Sequence, residues 1–296
     1  MFLKRAVKAV LLIFVMLMIK CLWNSILNDT HNQNTPTVQS EEVAGIPKPF
    51  VKMSHISFSE IKDLPLGDPR IIEYLRRYVL IPPSKLPYVF TKEMGSLYKE
   101  QVKQMFGTKS NGFFIECGAN DGEYLSNTLE LEMRGWKGLL IEAQPELGKM
   151  LMTKNRKAWF ANVCLSPYSN ISEIEFAVGR FMNARYKNAI GKLLLPDNSY
   201  MGTLYRKYGK VPCFPITTIM AALGVTHVDY LSLDVEGVEL KILNTLPFDG
   251  TLVIDYIQVE INHVRGGQKA VKRFLESKGY DFLFMHDIDA FYKRRF

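Results

Sequence analysis

The chain has 296 residues, 47% of them hydrophobic, and a formal charge of +7. That is apolar material for one core of about 200 residues with smaller additions. Lys4, Arg5, Lys8 and Lys20 flank a single apolar run and leave +3 on the rest of the chain, whereas a nucleic-acid-binding protein concentrates basic residues on its folded domain, so a nucleic-acid partner is excluded.

Ala9 to Ile19 is unbroken apolar sequence, bounded by Lys8 and Lys20 and extended by Cys21, Leu22 and Trp23. As a helix, Ala6 to Ile26 would be about 31 Å long, the thickness of a bilayer's hydrocarbon core. The lysines can snorkel and Trp23 suits the interface. A cleaved signal peptide wants small residues at its cut, which Cys21-Leu22-Trp23-Asn24-Ser25 does not offer. A buried core helix does not suit cations on both flanks. The expectation is a signal anchor at 6–26, with residues 1–5 as a cytoplasmic tail and the bulk of the chain lumenal, a single-pass type II arrangement.

Residues 27–48 are polar and lack apolar periodicity, which reads as a stem. Asn28-Asp29-Thr30 and Asn170-Ile171-Ser172 are glycosylation sequons. Residues 49–106 read as a helical cap, with Ile71, Tyr74, Leu75 and Tyr78 at helical spacing. Beyond the span the cysteines are Cys117, Cys164 and Cys213, with no C-x-x-C pair, so a zinc site or dithiol motif is unsupported. Two readings stay open: Cys164 pairs with Cys213 in an oxidising compartment, or all three are buried thiols.

Phe113 to Cys117 reads as a buried strand, Gly118-Ala119-Asn120-Asp121-Gly122 as a tight turn, and Glu123 to Arg134 as a helix. A second strand, Gly138 to Ile141, ends in Glu142. This βαβ unit has the layout of a nucleoside site: the glycines let the backbone approach a ligand, and an acid at the next strand end accepts from ribose hydroxyls. The turn is G-x-x-x-G, and Asp121 at the helix start repels phosphate, so a cationic cofactor fits better than a dinucleotide. Trp159 to Leu165 reads as a third strand, Tyr230 to Leu233 as a fourth leading into Asp234-Val235-Glu236-Gly237-Val238-Glu239, and Tyr256 to Ile261 as a fifth. A helix at Lys269 to Ser277 and an antiparallel pair at Tyr280 to Met285 and Ala290 to Lys293 close the chain. The pattern predicts an α/β fold with a seven-stranded, mostly parallel sheet and a C-terminal antiparallel hairpin. Glu116, Glu142, Asp234 and Glu260 fall near strand ends, where such sheets carry their sites.

The stretches FFIECGANDGEYLSNTLELE, GWKGLLIEAQP, the Thr217-Thr218-Ile219 triplet and VDYLSLDVEGVELKIL resemble the FkbM-type S-adenosylmethionine (SAM) methyltransferases over roughly residues 110–290. The resemblance implies a Rossmann-like class I methyltransferase domain, assigned to 107–296, with SAM as cofactor. It implies that Glu116, Gly118, Asn120, Asp121 and Gly122 surround the methionine part of SAM. Glu142 would hold the ribose, Asn162 to Leu165 would lie near the adenine, and Asp234, Glu236 and Glu239 would face the methyl. The chain departs from the family pattern with Glu116 for the usual Asp and Ser232 where bacterial members often have Lys. Residues 168–213 match nothing recognisable. With its span and stem, the layout is similar to the Star-type subgroup, which implies a secretory-pathway protein of the endoplasmic reticulum or Golgi, with endosome and plasma membrane as further stations, that helps growth-factor precursors leave the endoplasmic reticulum.

Two functions follow. The first is methyl transfer to a hydroxyl of an unknown acceptor, with Asp234, Glu239 or His263 as candidate catalytic groups. The second is a carrier of transmembrane cargo that keeps the fold without the chemistry. Asp234, Glu236, Glu239 and Glu260 could hold a hard cation, but a hydrogen-bonded acidic site is the simpler expectation, so no metal is assigned.

Overall fold

The computed structural model describes residues 55–91, 99–179, 191–197 and 205–295, all within one compact unit, Ser54–Phe296. The expected tail, anchor and stem lie outside the described residues. Among the described residues no helix is long and apolar enough to cross a membrane.

The centre of the large sheet is parallel. Strand β2 (Phe113–Cys117) lies between β3 (Lys137–Ile141) and β9 (His227–Leu233), and β10 (Val253–Glu260) follows on the far side of β9. These strands are apolar on both faces because both faces are covered. On one face Phe114, Leu140 and Tyr230 pack with Phe106 of helix α3 (Lys99–Phe106) and with Trp136. On the other, Ile115, Ile141, Leu231 and Val259 pack with Ile242 of α7 (Glu239–Thr245) and Leu275 of α8 (Gly267–Ser277). The C-terminal hairpin is present: β11 (Tyr280–His286) pairs with β12 (Asp289–Arg294), which pairs antiparallel with β10.

The expected seven strands are eight. Their order is β1-β4-β3-β2-β9-β10-β12-β11. The extra one, β1 (Leu80–Ile81), comes from the segment expected to be a helical cap and pairs antiparallel with β4 (Trp159–Ala161). Pro82 and Pro83 end it, as prolines do at a sheet edge. Before it, the short helices α1 (Phe58–Ile61) and α2 (Pro69–Tyr74), with a π-helical turn at Leu75–Val79, bury Ile61, Ile71 and Leu75 in the main core. This segment therefore builds the domain rather than capping it.

The strand expected from Trp159 to Leu165 breaks in two. Asn162 donates its side-chain N–H to the Glu142 carbonyl at 2.6 Å, and the chain leaves the large sheet there. Cys164–Leu165 becomes β5 of a second, four-stranded sheet with β8 (Tyr205–Phe214), β6 (Ser172–Gly179) and β7 (Gly191–Leu193), in the order β5-β8-β6-β7. Cys164 and Cys213 are register partners on β5 and β8 and form a disulfide. Cys117 is a free, buried thiol, its pKa pushed up by burial.

The helix expected from Glu123 to Arg134 is shorter, only α4 (Leu129–Met133). The Ser126 and Thr128 hydroxyls and the Asn127 backbone N–H all donate to the buried Glu116 carboxylate. A segment bonded to a neighbouring strand in this way is not free to wind into a helix.

Candidate functional site

The strand order reverses between β2 and β9, and open α/β sheets bind ligands outside the carboxyl ends of strands at such a switch point. A cavity of about 270 Å³ opens there. Its walls come from the turn after β2, the end of β3, residues 163–165, the segment after β9 and the second sheet through Phe176 and Leu193.

The turn after β2 owes its shape to three residues with positive φ, Gly118, Asn120 and Gly122. Gly118 has φ +85°, and a Cβ there would run into the Asp234 backbone carbonyl oxygen. Asn120 has φ +52°, a conformation Asn tolerates by bonding locally. Its side-chain oxygen accepts the Asp121 N–H at 2.7 Å. This places the Asn120 N–H 2.9 Å from Glu142 Oε2, so the turn and the acid after β3 are tied directly. Glu142 Oε1 accepts the Gln144 N–H at 2.8 Å. Each Glu142 oxygen keeps a lone pair for the cavity, where the residue is 7% exposed. Burial pushes its pKa up to about 7 against the pull of those backbone N–H groups.

Gly118, Asn120, Glu142 and Asp234 meet on the cavity wall. The other residues assigned to the cofactor do not reach it. Glu116 gives both oxygens to Ser126, Asn127 and Thr128. Asp121 caps the Glu123 and Tyr124 N–H groups. Gly122 packs its backbone on Leu151, where a Cβ would lie 2.8 Å from Leu151 Cγ. Asn162 holds the Glu142 carbonyl from behind. These residues position the wall; Val163, Cys164 and Leu165, next to Asn162, form part of it. Ser232 accepts from the side chain of Asn127, which does line the cavity.

The model of the Methyltransferase FkbM domain matches residues 116–282, more than half of the chain. The chain belongs to the FkbM methyltransferase family. No curated protein matches it. Membership implies a methyl-donor cofactor, and the matched stretch holds the turn after β2, Glu142 and Asp234.

The acids of this FkbM domain gather at the ends of β9 and β10. Asp234 faces the cavity, and burial, then the carboxylates of Glu236, Glu260, Asp289 and Glu239, hold its pKa well above the carboxylate range. Glu239 is fully buried and accepts the Val235 and Gly237 N–H groups at 3.0–3.1 Å; burial pushes it up to about 7. Glu236 lines the cavity with φ +60°, a backbone strain that concentrates at functional sites. His263 Nδ1 stands 2.9 Å from Glu236 Oε2 and 3.5 Å from Glu260 Oε2. The carboxylates of Glu236, first, and Glu260 push the His263 pKa up to about 10 against burial, which favours the protonated ring over the neutral one.

Tyr124, Leu125 and Asn127, and Phe176 and Leu193, also line the cavity, and sequence reasoning missed them. The first three were placed on a helix; the last two fall in a stretch with no recognisable pattern. Leu125 is 40% exposed at φ +56°, within the stretch expected to be helix.

Proposed function

We propose that this chain is a SAM-dependent methyltransferase acting on a hydroxyl oxygen. One observation carries the reading: among the described residues lining the cavity there are three carboxylates, Glu142, Asp234 and Glu236, and no basic side chain. A dinucleotide's pyrophosphate would find no counter-charge there, whereas a sulfonium donor with a free amino group is electrostatically matched. The residues fit SAM. Glu142 has two lone pairs for ribose hydroxyls, and Leu147, Val163 and Leu165 offer an apolar slot for the adenine.

When bound, SAM supplies an activated methyl group, and the protein's task is alignment and charge. The Gly118–Asn120 turn and Glu142 hold the donor. Asp234, on the cavity wall among the other acids, ionises against the bound sulfonium donor and supplies its counter-charge beside the reacting centre. Glu236 is the cavity-facing carboxylate with a cation behind it, and it takes the acceptor's hydroxyl proton. His263 is its counter-ion. The test is transfer of labelled methyl from SAM into fractionated extract by the full chain. Wild type should label an acceptor; Asp234→Asn, at equal thermal stability, should lower the rate at least about hundred-fold. Equal labelling by both would contradict the role given to Asp234.

The second reading concerns place and partner. The Cys164–Cys213 disulfide supports folding in an oxidising compartment. Asn170 of the second sequon is exposed, as glycosylation requires. Together they favour the lumenal arrangement, while the membrane anchor and Star-like carriage of membrane cargo rest on the apolar run at 6–26. In that case export of the cargo survives Asp234→Asn at equal protein level, and loss of export with a stable variant counts against carriage alone. A glycosidase-sensitive mass and protease protection in intact microsomes are the expected signs of the topology; digestion of the domain without detergent would refute it.

A further inference from the structure

We infer that Asp234, Glu239 and Glu260 form a binding site for a hard divalent cation, which takes an oxygen of the methyl acceptor as a further ligand. One carboxylate oxygen from each residue lies within 4.8 Å of the others. The three are brought together by the fold: Asp234 follows β9, Glu239 opens α7 and Glu260 ends β10, the parallel neighbour of β9.

Proximity of acids alone would not make a site, but the hydrogen bonding around these does. Glu260 is 2% exposed, and its buried Oε2 accepts no hydrogen bond. Among the described residues the cation near it is the His263 ring at 3.5 Å, and that ring sits closer to Glu236, at 2.9 Å. The Glu260 Oε1 atom is taken by the Asn262 N–H at 2.6 Å. Asp234 lines the cavity and accepts no hydrogen bond from a described residue. The Val235 and Gly237 N–H groups fix Glu239 and leave part of its four-lone-pair capacity unused. A buried carboxylate oxygen without a donor is costly, and a hard cation coordinated by oxygens removes that cost.

The other acidic cluster shows the contrast. His227, Asp229 and Asp255 also lie within ligand distance of one another. There Lys109 and the Phe113 N–H occupy Asp229, while His227 and Arg294 occupy Asp255. That cluster is already neutralised by the protein.

The cation site stands on its own geometry, while its role toward the acceptor rests on the methyltransferase reading. An ion there would present a positive centre beside the cavity, where a hydroxyl or another oxygen of the acceptor can bind and be oriented toward the donor. The acceptor class is therefore oxygen-rich, able to place an oxygen on the ion.

Calorimetric titration of the full chain with calcium chloride, and in parallel with magnesium chloride, tests this. One calcium per chain is expected, still bound at saturating SAM. Glu260→Gln should weaken calcium binding at least tenfold, and Asp255→Asn, in the neutralised cluster, should leave it unchanged. Asp234→Asn is read in the same way should the Glu260 variant fail to fold by its melting curve. No binding at millimolar calcium, or undiminished binding by the folded Glu260 and Asp234 variants, would overturn the inference. Loss of calcium on saturation with SAM would also overturn it, because the acids would then belong to the donor's amino group. Calcium binding by a chain that does not bind SAM would leave the cation site standing and sink the methyltransferase reading instead.

Discussion

The Glu142 carboxylate takes two backbone N–H bonds and still has its pKa pushed up to about 7 by burial. Its place was legible: an acid that ends the strand after a glycine turn has few other uses. Gly118 was legible for the same reason, although the atom it avoids, the Asp234 carbonyl, belongs to the segment after β9, more than a hundred residues away in the chain. Gly118→Ala should therefore destabilise the protein by about 2–3 kcal/mol through backbone overlap and the strained φ. Urea unfolding measures it, and a loss under about 0.5 kcal/mol would mean the turn is looser than described. Glu116 was legible as important but not in its role. A buried acid after a strand looks the same in sequence whether it faces a ligand or three donors of its own chain, and here it faces the donors.

The loop from Gly122 to Thr128 had the apolar spacing of a helix, and tertiary bonds overrode that local preference. Arg156 holds the loop from the other side. It is 3% exposed, pairs with Glu132 at 3.0 Å and donates to the Gly122 carbonyl and the Ser126 hydroxyl. Replacing Arg156 by Met leaves Glu132 buried without its partner, and breaking such a pair costs about 3–5 kcal/mol. Chemical denaturation of the two forms checks this; a change below about 1 kcal/mol would show that the network does not hold the loop. The second sheet was the least readable element. Its longest strand, β8, begins Tyr205-Arg206-Lys207 with little apolar alternation, and its pairing with β5 joins residues far apart in the chain. Nothing local announces such a pairing, and only the two cysteines, left open as partners, hinted at it.

At the scale of the molecule, the parallel centre and the closing hairpin followed from βα alternation, while the eighth strand did not, because two residues before a proline pair carry no period. The same architecture concentrates acids at one end of the sheet, and that has a consequence for stability. Glu142 and Glu239 have folded pKa values of about 7, above their ordinary 4.5, and His263 about 10 against 6.5. For each, the folded state binds its proton more tightly than the unfolded state. Their contribution is thus fully present at low pH and is lost as pH rises, through 4.5 to about 7 for the glutamates and 6.5 to about 10 for the histidine. The melting temperature of the ligand-free chain should fall across pH 5 to 9, and a rise would contradict the placement of these groups. The most direct test of the central claim is calorimetric titration of the full chain with SAM at neutral pH. The structure predicts one SAM per chain, weakened by about 1.5–3 kcal/mol, or roughly ten- to hundred-fold, in Glu142→Ala. No heat of binding at millimolar SAM, or equal affinity in the folded Glu142 variant, would contradict it.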